Sequence, residues 1–371
     1  MSIVRPDNHL ACLPDRNPEW YKRVLIETTE ETDMKLYGGM DLHSTNVVTQ
    51  LIDEHDRVVY RKKQGCDLTD ILRGLEPFQD SIEGLAVEST YNWYWLVDGL
   101  MEAGYRVHLV NTAAVQQYEG LKYTDDDTDA FWLAHLLRLG VLPTGTIYPK
   151  ESRAVRDLLR KRSQLVRQRS AHIISIENLY ARNTGTRLSS NAVKRLTQEQ
   201  VQQRFADPNV ALAVESNRVI LGALSEQIEV LERAILAQAK LDPRYRYLLS
   251  ISGIGPVLAL TIMLETGGIE RFRQVGNFAS YCRCVGSEKL SNGKKKGRGN
   301  TKNGNKYLAW AFIEAANFAI RYNDRAKRFY QRKAVKCNRV VALKAVAHKL
   351  ARASYFVMRD HVPFNDTKCF V

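Results

Sequence analysis

The segment Leu36-Tyr-Gly-Gly-Met-Asp41-Leu-His-Ser-Thr45 opens a run of short β-prone stretches that are separated by turn residues. These stretches span residues 35–41, 46–53 and 57–62. Their composition and spacing predict three adjacent strands, the second and third joined by a polar hairpin connection. Two glycines before Asp41 permit another backbone to come close, and the acid meets solvent as its strand ends. We therefore expect a sheet with a carboxylate at the end of its first strand.

Helix-like and strand-like segments alternate after these three strands. The pattern predicts a helix at 68–78, a strand ending at Glu88, a helix at 91–103, a strand at 105–110 and a helix that opens near Asp126. The resulting order, β-β-β-α-β-α-β-α, is typical of an α/β layer structure with a mixed sheet.

Four acids occupy special positions in this plan. Asp41 and Glu88 each stand where a strand ends, and neighbouring strands that end together would bring both to one sheet edge. Asp126 and Asp129 are three residues apart at a helix start, so they project from one face. Carboxylates that converge at one edge suit Mg²⁺, and two such ions about 3.5–4 Å apart can support an in-line phosphoryl displacement.

Other roles for these residues remain open at this stage. An acid at a strand end is also a common turn residue, and Asp125–Asp127 with Asp129 would equally cap a helix and complement its dipole. His43 and His108 lie near the same elements. They are candidate metal ligands or bases, although a structural role is favoured for both.

Length and charge narrow the class of protein. With 371 residues the chain is too long for one core, and its net charge of +13 makes nucleic acid the leading partner. A basic protein that binds no polyanion is the alternative. No run approaches the roughly 18 apolar residues that a membrane span needs, and the N-terminus lacks the pattern of a secretory signal, so we expect a cytoplasmic protein without a membrane partner.

The six cysteines are scattered along the chain. Cys282 and Cys284 are separated by one residue, whereas structural zinc sites usually have two to four between paired ligands. Neither a disulfide framework nor a zinc site is predicted.

The second half of the chain reads as mainly helical. Long helices are predicted at 151–182 and 210–240, joined by residues 183–191 as a helical hairpin or an intermolecular coiled coil, with further helices at 306–322 and 335–359. The predicted divisions are an N-terminal extension (1–34), an α/β domain (35–147), a helical hairpin (148–245) and a mainly helical C-terminal domain (246–371).

Two glycine-containing motifs in the last domain suggest contact with phosphate. Ser252-Gly-Ile-Gly-Pro256, followed by an apolar helical run, has the form of a helix-hairpin-helix element in which Gly253 and Gly255 permit a tight turn near a phosphate. A plain connecting turn is the alternative.

The second motif is the stretch 289–306, which holds seven Lys/Arg and four Gly without an acid. We expect it to be mobile unless a phosphate backbone orders it, and a plain flexible linker is the alternative. Its candidate nucleic-acid ligands are Lys294, Lys295, Lys296, Arg298, Lys302 and Lys306.

In combination, these motifs resemble the transposases of the insertion sequence 110 family, including its insertion sequence 1111 branch, which are RNA-guided "bridge" recombinases. The resemblance covers residues 35 to about 362. It rests on the segments Gly39-Met-Asp41, Val87–Tyr91, Glu119–Ala130, Ile251–Pro256 and Ser291–Asn305.

The resemblance implies an RNase H-like (RuvC-like) DEDD domain with Asp41, Glu88, Asp126 and Asp129 as metal ligands, a coiled-coil insertion, and a C-terminal transposase domain. It also implies a nucleophilic serine that forms a covalent 5′-phosphoserine link to DNA. That role falls best on Ser291, with Ser287 next. The implied partners are donor and target double-stranded DNA, a structured guide RNA, and homodimers that assemble into a tetramer, in a cytoplasmic, nucleoid-associated protein.

Two other functions fit the same residues. A RuvC-type metal-dependent endonuclease would hydrolyse DNA junctions with water and would not use Ser291. A non-catalytic nucleic-acid-binding protein would use only the glycine hairpin and the basic stretch.

Overall fold

The structure is a computed structural model that describes residues 34–115, 125–239, 242–286, 288–298 and 303–370. The chain divides into two compact units, Met1–Thr146 and Ile147–Val371. In the described part of the chain, none of the helices is long and apolar enough to cross a membrane.

Unit 1 is built on a mixed sheet of five strands in the order β3-β2-β1-β4-β5. The strands are β1 (Leu36–Leu42), β2 (Asn46–Ile52), β3 (Val58–Gly65), β4 (Ile82–Glu88) and β5 (Val107–Val110). The first three pair antiparallel, while β1–β4 and β4–β5 pair parallel. The predicted mixed α/β sheet is therefore confirmed.

Three helices and one 3-10 turn complete the described part of unit 1. They are α1 (Leu68–Leu75), a 3-10 segment (Glu76–Ser81), α2 (Tyr94–Glu102) and α3 (Asp126–Arg138). The predicted helix at 68–78 ends earlier as an α-helix because a proline occupies the first turn of the 3-10 segment. The predicted start of α2 at residue 91 is wrong by three residues.

The closest packing in unit 1 lies between β1 and α3. A Cβ atom at Gly39 would collide with the carbonyl oxygen of Ala130 and lie 2.7 Å from the amide nitrogen of Ala134. The glycine therefore lets the helix backbone rest directly on the strand. Gly38 faces the opposite side of the sheet, where a Cβ would strike Leu85.

Unit 2 begins with the predicted pair of long helices, α4 (Lys150–Thr184) and α7 (Pro208–Ala239). The connection between them is longer than predicted and holds two short helices, α5 (Ser190–Val193) and α6 (Gln198–Arg204). Both pack on the long pair around Ile176, Val193 and Val214. The predicted domain boundary at residue 245 stays a prediction.

The remaining elements of unit 2 surround a second core that contains Phe278 and Phe312. They are α8 (Pro243–Leu249), α9 (Pro256–Thr266), a 3-10 segment (Ile269–Arg271), α10 (Val275–Tyr281), β6 (Glu288–Ser291), β7 (Lys294–Arg298), α11 (Lys306–Tyr322), α12 (Asp324–Lys336), α13 (Arg339–Asp360) and α14 (Asp366–Cys369). This region is mostly helical, as predicted.

Two local predictions are wrong. The helix expected at 335–359 is present as α13 but begins four residues later, because Asn338 caps its start by accepting a hydrogen bond from the Val341 amide at 2.9 Å. The separate helix α12 that precedes it was not predicted. Residues 288–298, expected to be mobile, form the antiparallel pair β6–β7. Asn292 and Gly293 make its two-residue turn with φ of +50° and +71°, values that an Asn-Gly pair adopts readily. Ser287 and Lys302 lie outside the described residues.

Replacing Gly39 with alanine is expected to destabilise unit 1 by about 2–3 kcal/mol, because the added methyl group forces α3 away from β1. The matched control is Gly65→Ala, where a Cβ meets nothing within 4 Å. Urea denaturation followed by circular dichroism measures both variants. Equal stability of the two variants would contradict the close contact.

Candidate active site

The sheet topology brings two of the four predicted acids together. In the parallel pair β1–β4, Met40 lies opposite Val87, so Asp41 and Glu88 are the next residues on neighbouring strands. Asp41 shares the strand face of Gly39, which contacts α3. Glu88 shares the face of Ala86, which packs with Leu133 of α3. Both acids therefore lie on the face of the sheet that α3 covers.

The first turn of α3 supplies the other two acids. Asp125 caps this helix by accepting hydrogen bonds from the amide of Thr128 at 2.8 Å and from its hydroxyl at 2.6 Å. Asp127 pairs with the guanidinium of Arg61 and accepts from the Gln50 amide group. These two acids have the structural roles that the sequence left open.

Asp126 and Asp129 carry pKa shifts of opposite sign. A hydrogen bond from Lys63 at 2.8 Å lowers the pKa of Asp126. Burial raises the pKa of Asp129, and the charges of Asp41 and Asp126 raise it further. We call the set Asp41, Glu88, Asp126 and Asp129 the acid cluster.

The pKa of Glu88 shows that the acid cluster disfavours a further negative charge. Burial raises the pKa of Glu88 to about 7, with further contributions from a hydrogen bond to Asp41 and from the charges of Asp41 and Asp129. A carboxyl group with this pKa keeps its proton at mildly acidic pH unless a cation compensates the neighbouring charges. The carboxylate oxygens of the acid cluster are therefore suitable ligands for a divalent cation.

His43 also belongs to this site. Its Nε2 atom lies 3.0 Å from Asp41 Oδ2 and 3.2 Å from Asp126 Oδ1, without the alignment of a hydrogen bond to either. The ligand atoms of Asp41, His43 and Asp126 all lie within 4.8 Å of one another, a spacing that can hold a metal ion. The Asn92 side chain donates to the His43 carbonyl oxygen at 3.0 Å and fixes this loop.

The other candidate histidine has a structural position. His108 on β5 packs over Gly84, where a Cβ would lie 3.0 Å from its Nε2. Burial lowers the pKa of His108, with a smaller contribution from Arg106. It is not a member of the Asp41–His43–Asp126 group.

Lys63 is a site residue that sequence reasoning missed. Arg61 and Lys63 are two residues apart on β3, so their side chains lie on the same face of the strand. The Arg61 guanidinium donates to Asp127, and the Lys63 ammonium group donates to Asp126. Their spacing of two residues was visible in the sequence, but which side of the sheet they face depends on the pairing of β3 with β2.

The predicted nucleophile Ser291 lies in unit 2, at the end of β6, where it pairs with Lys294 across the turn. Its side chain is exposed, as are those of Lys294 and Lys296. Ser291 and Lys294 lie directly opposite each other and share one face of the hairpin, whereas Lys296 is the extra residue of a bulge in β7. Lys295, on the other face, forms an ion pair with Glu288. We call residues 288–298 the basic hairpin.

Gly304 and Asn305, which precede α11, are held by several hydrogen bonds. The Arg283 guanidinium donates from Nε and Nη2 to the Gly304 carbonyl oxygen at 3.1 and 2.9 Å, and the Asn305 amide donates to the Tyr281 carbonyl oxygen at 2.6 Å. Gly304 has φ of +86°, and a Cβ there would lie 2.5 Å from the Tyr281 oxygen. Both ends of the segment 285–303 are thus fixed side by side.

The glycine motif at 252–256 joins α8 to α9. Gly253, with φ of +95°, packs against α11, where a Cβ would lie 2.7 Å from the Ala319 amide nitrogen. Gly255 is the N-cap of α9 and has open space beside it. Of these two glycines, only Gly255 has open space beside it. Lys306, the first residue of α11, is exposed.

Comparison with known proteins gives the same family as these motifs. Residues 38–181 match the family model of IS110 DEDD transposases, and residues 245–331 match the model of the "Transposase IS116/IS110/IS902 family". The chain is 28% identical over 293 residues to a "Probable family 20 transposase" of Pseudomonas aeruginosa, a match that covers 76% of this chain and 83% of that protein. It is 22% identical over 338 residues to the transposase for insertion sequence element IS1328 of Yersinia enterocolitica, covering 88% and 98%.

A mixed sheet that carries the acid cluster, joined to a mostly helical unit, is consistent with a DEDD, RNase H-like transposase. The chain belongs to the insertion sequence 110 family of transposases. It is an enzyme that cleaves and transfers DNA strands, so the non-catalytic alternative is excluded.

Replacing Glu88 with glutamine is expected to stabilise the metal-free protein above pH 7. The folded pKa of about 7 exceeds the ordinary value of 4.5. The folded protein therefore holds a proton that the unfolded chain has lost, and stability falls as pH rises between these values. Glu88→Gln removes this fall, a gain of about 2 kcal/mol at pH 8, and weakens divalent-metal binding.

Urea denaturation in EDTA from pH 5 to pH 8 measures this effect. The control is Glu83→Gln on the same strand, because Glu83 forms a surface ion pair with Lys35 at 3.0 Å and should change stability by less than about 1 kcal/mol. The same pH profile for wild type and Glu88→Gln would refute the shared proton.

Proposed function

We propose that this transposase is RNA-guided and that Ser291 attacks a DNA phosphate, assisted by a Mg²⁺-binding acid cluster. The observation that carries the proposal is the position of Ser291. It is exposed at the turn of a hairpin, directly opposite Lys294, on a chain that also carries the acid cluster. A nucleophile at an exposed basic tip is accessible to a phosphodiester in duplex DNA.

The proposed reaction conserves the energy of the phosphodiester bond. The Ser291 hydroxyl loses its proton as its oxygen forms a bond to phosphorus, the bond from phosphorus to the 3′ oxygen breaks, and the departing 3′ oxygen takes up one proton, so that no net proton is gained or lost. The product is a 5′-phosphoserine link, and a 3′ hydroxyl of another strand reverses the step to rejoin DNA. Lys294 and Lys296 stabilise the negative charge that develops on the phosphoryl oxygens.

The acid cluster and His43 would hold the divalent metal, which when bound supplies positive charge to phosphate oxygens. Before a metal binds, Lys63 compensates the charge of Asp126 through its hydrogen bond at 2.8 Å. Oxygen ligands favour Mg²⁺, whereas an imidazole ligand is better suited to Mn²⁺ and later transition metals.

The proposed partners follow from charge and family resemblance. A net charge of +13 supports binding to donor and target DNA and to a structured guide RNA. In an RNA-guided enzyme, base pairing with the guide RNA recognises the DNA sequence, and the protein binds the nucleic-acid backbone. Homodimers that assemble into a tetramer would act on two DNA sites, in the cytoplasm and associated with the nucleoid.

Ser291→Ala is expected to abolish a covalent DNA–protein adduct, because no other atom would then carry the link. Incubation with guide RNA, Mg²⁺ and labelled duplex DNA, followed by denaturing electrophoresis, measures the adduct. The control Ser287→Ala should keep it. Adduct lost only in Ser287→Ala would move the nucleophile, and DNA hydrolysis that persists in Ser291→Ala would favour the RuvC-type endonuclease.

His43→Ala is expected to weaken Mn²⁺ binding about tenfold and Mg²⁺ binding less, because the lost ligand is a nitrogen. Isothermal titration calorimetry with each metal measures the two affinities. The control is His108→Ala, which removes the same side chain from a position outside the cluster. Unchanged affinity for both metals in His43→Ala would exclude this histidine as a ligand.

A further inference from the structure

Lys63 is aligned with Asp41 across three strands of the sheet in unit 1. Asp41 pairs with Val48 between β1 and β2, and Val48 pairs with Lys63 between β2 and β3. Side chains of directly paired residues lie on the same face of a sheet. Lys63 therefore lies on the face that α3 covers, two strand spacings or about 10 Å from Asp41.

The Lys63 side chain ends at Asp126, a member of the acid cluster. Its Nζ atom donates to Asp126 Oδ2 at 2.8 Å. The other oxygen of this carboxylate, Oδ1, lies 3.2 Å from His43 Nε2. The two oxygens of Asp126 thus have different neighbours, the ammonium group of Lys63 on one side and the imidazole of His43 on the other.

Lys63 keeps its positive charge at neutral pH. The hydrogen bond to Asp126 and the charge of Asp126 raise the pKa of Lys63, and the charges of Asp127 and Asp41 raise it further. The side chain is 59% exposed, so a phosphate that binds at the acid cluster has access to its ammonium group. Lys63 is therefore a stable cation at an open position beside the acid cluster.

The ligand atoms near Lys63 define one compact metal position. Those of Asp41, His43 and Asp126 lie within 4.8 Å of one another, and no other group of three His, Cys, Asp or Glu meets this spacing among the described residues. Glu88 and Asp129 are not members of that group. A second ion beside the first would compete with Lys63 for Asp126 Oδ2.

An in-line phosphoryl displacement is favoured by positive charge near both the attacking and the leaving oxygen. Two divalent ions about 3.5–4 Å apart supply this charge in many phosphoryl-transfer enzymes. The ammonium group of a lysine stabilises charge on a transferring phosphoryl group in the same electrostatic way. Lys63 is suited to this role because its Nζ contacts a carboxylate that also belongs to the metal-binding group.

We propose that Lys63 takes the place of a second divalent ion, so that each acid cluster binds one metal and Lys63 supplies the other positive charge to the DNA phosphate. The inference rests on the proposed binding of a divalent metal by the acid cluster, and it is independent of which residue is the nucleophile. The alternative is a purely structural ion pair that ties β3 to α3, as Arg61 does through Asp127.

Counting bound Mn²⁺, a paramagnetic substitute for Mg²⁺, tests this proposal without catalysis. The full-length protein is freed of metal with EDTA, dialysed and titrated with Mn²⁺ in the absence of RNA, and free Mn²⁺ is measured by electron paramagnetic resonance. We expect one bound Mn²⁺ per chain in wild type and two in Lys63→Met, which keeps an unbranched side chain but loses the charge. The two ions in the variant should give an exchange-coupled spectrum, because paired ions in such sites are about 4 Å apart.

The matched control for this count is Lys62→Met, which removes the neighbouring exposed lysine from the opposite face of β3. Lys62→Met should bind one Mn²⁺, and Lys63→Arg, which retains the charge, should also bind one. Two ions in wild type, or a single ion in Lys63→Met, overturns the proposal and leaves Lys63 with a structural role.

The metal dependence of DNA cleavage gives a second readout. With guide RNA and labelled duplex DNA at buffered free Mn²⁺ below saturation, the cleavage rate of wild type should rise with the first power of the Mn²⁺ concentration. The rate of Lys63→Met should rise with the second power, because a second ion must then replace the lost charge. First-order dependence in both proteins argues against the replacement of an ion by Lys63.

These measurements separate failure of the Lys63 role from failure of the metal site itself. If neither wild type nor Lys63→Met binds Mn²⁺, the proposed metal site of the acid cluster fails, and the role of Lys63 fails with it. If both proteins bind one ion, the metal site stands and only the role of Lys63 fails.

Discussion

The direct contact of α3 with β1 at Gly39 is the constraint on which the acid cluster depends. The four acids come from β1, β4 and the first turn of α3, which are far apart in sequence, so tertiary contacts between these elements must hold them together. Because Ala130 and Ala134 touch the strand backbone, the first turn of α3 stays beside Asp41. A larger residue at position 39 would separate two halves of the cluster without changing a single ligand.

The same contact forces like charges together, which has a cost that other residues reduce. Burial and neighbouring carboxylates raise the pKa of both Glu88 and Asp129. From β3, Lys63 compensates Asp126, while Arg61 anchors Asp127 and so the start of α3. Repulsion among these carboxylates lowers the stability of the metal-free protein, but it gives a site whose geometry suits a cation before the cation binds.

Some features of the acid cluster could be predicted from the sequence, and others depend on tertiary structure. The proximity of Asp41 and Glu88 was predictable because neighbouring parallel strands end together. The contact of Lys63 with Asp126 and the approach of His43 Nε2 to Asp41 were not, because they depend on strand pairing and loop geometry that hydrophobic periodicity does not encode. In the basic hairpin the Asn292-Gly293 turn signal was present in the sequence, but the density of cations favoured disorder. The hydrophobic pattern likewise continues across Asn338, which hid the start of α13.

The surroundings of the proposed nucleophile in unit 2 differ in charge and in exposure from those of the acid cluster. Buried Glu265 accepts two hydrogen bonds from Arg160 of α4, at 2.7 and 2.8 Å, and one from Asn305 at 2.7 Å. This network fixes the end of the segment that carries Ser291, while Ser291 itself is exposed. Its partner across the turn, Lys294, is a cation that attracts phosphate but accepts no proton. The proposed activation of Ser291 therefore depends on the acid cluster and the metal that it would hold, and not on the serine's partner across the turn.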